Sequence, residues 1–172
     1  MDGKGRGRLL LVEDETVLRR LIAEFLRGEG YEVLEAADGP EGATVYSSQG
    51  PFDVVLLDLN LPLLSGVDVC RRIKALRPLQ PVLICSAAIL DWHIAELRSL
   101  CVEQFLTKPY HPLDLLDRIA EEMTRGDGQR DPAGDFHRPA PTPSERSIHR
   151  PQPPTTPSLH SYPVQSAAIG IR

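Results

Sequence analysis

Along the first 125 residues, short unbroken apolar runs alternate with segments whose apolar positions recur every three or four residues. The runs read as strands and the periodic segments as amphipathic helices. Strands are expected at RLLLVE (8–13), FDVVLLD (52–58), PVLICS (81–86) and EQFLTK (103–108), and at YEVLEA (31–36), which alternates as a strand should. The first helix places Val17, Leu18, Leu21, Ile22, Phe25 and Leu26 on one face, and Gly28 and Gly30 stop it. A weaker, Gly-containing helix covers 39–49 and closes at Gly50-Pro51. VDVCRRIKAL (67–76) is a third helix, ended by Pro78. A fourth, at about 90–100, turns Ile94, Leu97 and Leu100 inward and leaves Trp92 outside. Pro112 suits the first turn of a fifth, whose buried face is expected to be Leu113, Leu116, Ile119, Ala120 and Met123.

Strands that alternate with helices pair in parallel, because parallel neighbours need helical crossovers. The expected fold class is therefore α/β, a doubly wound five-stranded parallel sheet. Such folds bind ligands beyond the carboxyl ends of the strands, where strand order reverses. The polar residues at those ends are thus the informative ones. Glu13 and Asp14 close the first strand, Asp58 the third, Ser86 the fourth, and Lys108-Pro109 the fifth.

Composition changes near residue 125. Nine of the sixteen prolines lie in 126–172, a stretch with neither helical nor strand periodicity. It is expected to be a disordered, Pro-rich tail following a single domain at 8–125, since it cannot bury enough surface to offset its backbone entropy. The whole chain carries a net charge of −5, which gives no general case for nucleic-acid binding. Cys70, Cys85 and Cys101 lack metal-ligand spacing and are expected to be reduced core residues. The apolar run Leu9–Val12 is too short for a signal peptide or a membrane span, so a cytoplasmic protein without membrane contact is expected.

Each strand-end residue has an ordinary reading when taken singly. Asp14 can cap a helix, Asp58 can cap the turn after its strand, Ser86 can belong to a loop, and Lys108 can be solvated. Together, at one edge of one sheet, they make a site. Three carboxylates there repel one another unless a cation joins them. Their hard oxygen donors suit Mg²⁺, which takes one or two carboxylates and leaves room for phosphate oxygens. Asp58 is the best-placed nucleophile for an acyl phosphate, with Ser86 and Lys108 placed to stabilise phosphoryl oxygens.

LLLVEDE (9–15), LLDLNLPLLSG (56–66), ICSAA (84–88) and FLTKPY (105–110) together resemble the blocks of the response-regulator receiver domain of two-component signalling. The resemblance covers about residues 8–124 and implies a flavodoxin-like receiver fold. It implies that Asp58 accepts a phosphoryl group from a sensor histidine kinase. It also implies that Asp14, Asp58 and the Asn60 backbone carbonyl bind Mg²⁺, with Glu13 acting through water. Ser86 and Lys108 would hold the phosphoryl oxygens, and small Ala87 would leave access to the site. Ser86 and Phe105 would be the switch residues, and the bond before Pro109 would be cis. The signal would leave through the face of the fourth helix, fifth strand and fifth helix.

Three positions depart from the family pattern, the first being Phe105, which lacks the hydroxyl of the tyrosine commoner there. Ser65 stands where aspartate is common, and Cys101 stands where glycine is common, which puts the turn before the fifth strand in question. On this reading the protein is not an enzyme beyond its own phosphorylation and dephosphorylation. Its partners are the kinase and an unidentified downstream protein, with no direct nucleic-acid contact, and a phosphorylation-dependent dimer stays open. A phosphorelay intermediate or phosphate sink is an alternative with the same chemistry. A haloacid-dehalogenase-type phosphohydrolase is a remote one, because that class carries D-x-D at its first strand, whereas here Asp58-Leu59-Asn60 follows the third.

Overall fold

The computed structural model describes residues 5–128. Most of the expected tail, from residue 129 onward, lies outside the described residues. Ten elements follow in strict alternation: β1 (Gly7–Val12), α1 (Thr16–Gly28), β2 (Tyr31–Ala36), α2 (Gly39–Gln49), β3 (Val54–Leu57), α3 (Gly66–Leu76), β4 (Val82–Ser86), α4 (Asp91–Ser99), β5 (Gln104–Thr107) and α5 (Pro112–Gly128). The five strands form one sheet in the order β2-β1-β3-β4-β5, and every pairing is parallel. The expected doubly wound sheet is therefore what the chain forms.

Strand alternation sorts the core into two layers. Leu10, Val12, Val55, Leu57, Val82 and Ile84 pack on one face with Tyr46 of α2, Val69 and Ile73 of α3, and Leu97 of α4. Leu9, Leu11, Val54, Leu56, Leu83 and Cys85 pack on the other with Ile22 and Leu26 of α1 and Leu115 and Ile119 of α5. Both faces of β3 are covered, which explains its unbroken apolar run.

Local chemistry fixes the starts of α2 and α3. Asp38 accepts the Glu41 N–H at 2.7 Å to begin α2, while the Glu41 carboxylate accepts the Ala37 N–H at 2.7 Å. Ser65 does the same for α3, accepting from the Asp68 N–H at 3.2 Å and donating to its carboxylate at 2.7 Å. Serine in place of aspartate thus keeps a working N-cap.

Several expectations need correction. On α1, Val17 and Leu21 are exposed, and Ala23 joins Ile22 and Leu26 in the core. On α5, Leu113 and Ala120 face solvent, and the buried positions are Leu115, Ile119 and the charged Glu122. In both helices the apolar arc is wider than the strip the sheet covers. Helix α5 also runs on to Gly128, past the boundary expected at residue 125. Cys70 and Cys85 are buried free thiols, but Cys101 is exposed. It holds the glycine-like backbone of its turn without being glycine, at φ 57°.

Candidate functional site

The sheet reverses its winding between β1 and β3, so their carboxyl ends flank the crevice that this topology opens. The hydrogen-bond ladder continues beyond the strands and fixes the site backbone. The Asp58 N–H donates to the Val12 carbonyl at 3.0 Å, the Glu13 N–H to Ala36 at 3.1 Å, and the Lys108 N–H to Ser86 at 3.0 Å. These bonds tie the end of β3 to β1, of β1 to β2, and of β5 to β4.

Their side chains converge. One ligand oxygen each from Glu13, Asp14 and Asp58 lies within 4.8 Å of the others. Glu13 and Asp58 are buried, and Asp14 is exposed at the rim. Lys108 reaches in from the end of β5, with Nζ 2.5 Å from Glu13 Oε2 and 2.5 Å from Asp58 Oδ2. Asp58 Oδ1 accepts the Asn60 N–H at 2.9 Å, and the Asn60 amide donates to Ser86 Oγ at 3.4 Å. The fully buried Ser86 thus lies one hydrogen-bonded residue from Asp58.

Burial raises the Glu13 pKa, a shift that the bond to Lys108 only partly offsets. Burial works against the Lys108 ammonium, but its bonds to Asp58 and Glu13 outweigh that cost and raise its pKa. Beside them, burial pushes the Cys85 thiol up to about 12 and raises the Tyr110 phenol, so both stay protonated and neutral. One cation facing three acids leaves the pocket short of positive charge. A hard divalent ion with oxygen ligands fits that donor set.

The remaining expected residues fall around this centre. Ala87 follows Ser86 and is exposed. Phe105 pairs with Ile84 across β4 and β5 and packs, half-buried, against the core. The Lys108-Pro109 bond is cis. Trp92 is exposed at the start of α4, while His93 is buried, accepting the Leu90 N–H at Nδ1 over 3.2 Å.

Two residues that the sequence reading passed over belong to the site. At Gly66, a Cβ would lie 2.0 Å from the Asp58 carbonyl oxygen, so α3 can start this close to Asp58 only with glycine. Arg19 donates to the Glu13 carbonyl at 2.7 Å. Its signal in the sequence is a cation placed early in a helix, where the macrodipole disfavours one.

Comparison with known proteins bears on the fold and the family. The family model of the response regulator receiver domain matches residues 9–120. Sensory transduction protein RegX3 of Mycolicibacterium smegmatis is 36% identical over 127 residues, covering 74% of this chain and 55% of that protein. DNA-binding response regulator MtrA of Mycobacterium leprae is 32% identical over 124 residues, covering 72% and 54%. The chain thus spans about half the length of these relatives. The DNA-binding name of MtrA runs against the expectation of no direct nucleic-acid contact. Among solved structures, a CheY-like receiver domain protein from Methanospirillum hungatei superposes with a TM-score of 0.67 at 26% identity, over 70% of this chain and 96% of that one. A receiver domain protein from Clostridium thermocellum gives 0.65 at 30% identity, over 70% and 96%. No described helix is long and apolar enough to cross a membrane. With the family model matched over residues 9–120 and the fold shared with solved receiver domains, the chain belongs to the response regulator receiver domain family.

Proposed function

We propose that this receiver domain takes a phosphoryl group onto Asp58 from the phosphohistidine of a sensor kinase, in a Mg²⁺-dependent reaction. The observation that carries this reading is the meeting of Glu13, Asp14 and Asp58, with the Lys108 ammonium bonded to two of them.

A carboxylate oxygen of Asp58 attacks the phosphorus, an O–P bond forms, and the P–N bond breaks with its electron pair leaving on the imidazole. The Asn60 N–H holds the other Asp58 oxygen, which orients the attacking one. Lys108 moves from the carboxylate to the phosphoryl oxygens, and Ser86 Oγ donates to another. Asp14, Asp58 and the Asn60 carbonyl would hold the Mg²⁺, and Glu13 would act on it through water. When bound, that ion offsets the charge of the carboxylates and of the transferring group.

Once phosphorylated, Asp58 draws Ser86 toward it. Phe105, on the neighbouring strand, turns into the space left behind. The face of α4, β5 and α5 then presents a changed surface to a downstream partner. The protein acts as a switch and does no chemistry beyond gaining and losing its own phosphoryl group. The domain ends with α5, and residues 129–172 are dispensable for this chemistry.

Incubation with Mg²⁺ and a small acyl phosphate should add one base-labile phosphoryl group, which Asp58→Ala abolishes. Undiminished labelling of Asp58→Ala would refute the assignment.

A further inference from the structure

The loop carrying Glu13 and Asp14 has few restraints of its own. Glu15, in the N-cap position of α1, makes no side-chain cap bond, and the first turn holds no acidic residue. The Glu13 N–H bond to the Ala36 carbonyl ties one end of the loop to β2. Arg19 supplies a further tie. Its Nη1 donates to the Glu13 carbonyl at 2.7 Å and to the Asp14 carbonyl at 3.3 Å. Its Nε pairs with Glu35 on β2 at 3.6 Å, and its side chain is only 12% exposed. Glu35 is held in turn by Arg27 at 3.0 Å, and Arg27 also donates to the Val33 carbonyl at 2.7 Å.

A cation here works against both the helix macrodipole and the binding of a metal ion nearby. Its presence calls for an advantage other than charge, and the geometry supplies one. A guanidinium is a rigid fork that can meet a carboxylate on one edge and two successive carbonyls from another, which a lysine cannot do.

We propose that Arg19, braced by Glu35 and Arg27, is a positioning residue of the metal centre. It fixes the Glu13–Asp14 backbone so that both carboxylates face Asp58. The inference rests on the divalent-cation reading above.

The sign of one measurement tests it. If Arg19 contributed only charge, its removal would tighten Mg²⁺ binding, because one repelling cation is gone. A positioning residue has the opposite effect: its loss weakens binding, by about tenfold on the scale of outer partners of metal ligands. Calorimetric Mg²⁺ titrations of the full chain should therefore show Arg19→Ala binding about tenfold more weakly than wild type. Arg19→Lys keeps the charge, loses the fork and should fall nearly as far, and Glu35→Gln should fall part of the way. Wild-type or tighter affinity in folded Arg19→Ala overturns the proposal. If Arg19→Ala does not fold, wild-type affinity in both Arg19→Lys and Glu35→Gln overturns it. A wild-type chain that binds no Mg²⁺ overturns the metal reading, and this inference with it.

Discussion

The ammonium of Lys108 stands 2.5 Å from the carboxylate of Asp58, fifty residues earlier in the chain. The same nitrogen also reaches Glu13, so one cation serves two buried acids. Replacing it with Ala leaves both carboxylates without a countercharge, which costs about 3 kcal/mol for a buried pair broken from one side. Lys108→Ala should therefore unfold at lower urea than wild type in metal-free buffer, and excess Mg²⁺ should restore much of the difference. The pH dependence has a definite sign. Burial already holds the folded Glu13 pKa above 4.5, and removing Lys108 raises it further. The variant should then regain stability as pH falls from neutral toward 4.5, because the folded state binds the proton more tightly. An equal urea midpoint for the two proteins in metal-free buffer would contradict the pairing.

Asp14 should separate metal binding from folding. It lies exposed at the rim of the pocket, beside two buried acids. Asp14→Ala removes like-charge repulsion and buries nothing new, so metal-free stability should stay within about 0.5 kcal/mol of wild type or rise. Calorimetric binding of Mg²⁺ should be lost. Wild-type affinity in this variant would remove Asp14 from the ligand set.

The two faces of α5 should respond differently to truncation. Ile119 is fully buried against β3 and β4 residues, whereas Leu113 is 60% exposed. Ile119→Ala should cost about 3 kcal/mol in chemical denaturation, and Leu113→Ala less than about 0.5 kcal/mol. Comparable losses in the two would mean that α5 is rotated from the position described.

That contrast marks where the pattern of residues stopped being sufficient. Strands and crossovers were legible because β1, β3 and β4 are short apolar runs, β2 alternates, and most of the connections have helical period. The site was legible because parallel strands bring their carboxyl ends to one edge, so Glu13, Asp14, Asp58, Ser86 and Lys108 had to lie together. The helix faces were less so. The inward face of α5 includes Glu122, a charged residue, so counting apolar positions turned the expected face toward Leu113 and Ala120. Arg19 and Gly66 escaped notice for a different reason. Each acts on backbone atoms of another segment, and no side-chain pattern records that.

Cys101 tests the cost of a non-glycine residue in the left-handed region. Its turn closes α4 through bonds from the Cys101 N–H to Arg98 and from the Val102 N–H to Leu97, each 3.0 Å, so the backbone cannot relax without losing them. Glycine adopts φ 57° without the clash between Cβ and carbonyl. Cys101→Gly should therefore raise stability by about 1 kcal/mol, read as a higher urea midpoint at unchanged slope. A lower midpoint would show that the side chain contributes more than its backbone strain removes.

Glu122 carries a pH dependence of its own on the far side of the domain. It is 7% exposed, and its carboxylate sits 3.5 Å from Arg125. Burial raises its pKa, and the attraction of Arg125 and Lys74 does not cancel that effect. A carboxyl group that binds its proton more tightly when folded opposes folding above its folded pKa. That cost disappears as pH falls through the folded pKa to the unfolded value of 4.5. Gln has nearly the same shape, keeps a hydrogen-bonding oxygen and carries no charge. Glu122→Gln should therefore raise the melting temperature at pH 7 by about 2 °C, on the order of 0.5 kcal/mol. At pH 4, where the wild-type carboxyl is protonated, the two proteins should melt together. Arg125 keeps its ion pair with Glu103 at 3.1 Å in either case, so it is not left unpaired. A lower melting temperature for the variant at pH 7 would mean that the Arg125 pair outweighs the desolvation of Glu122.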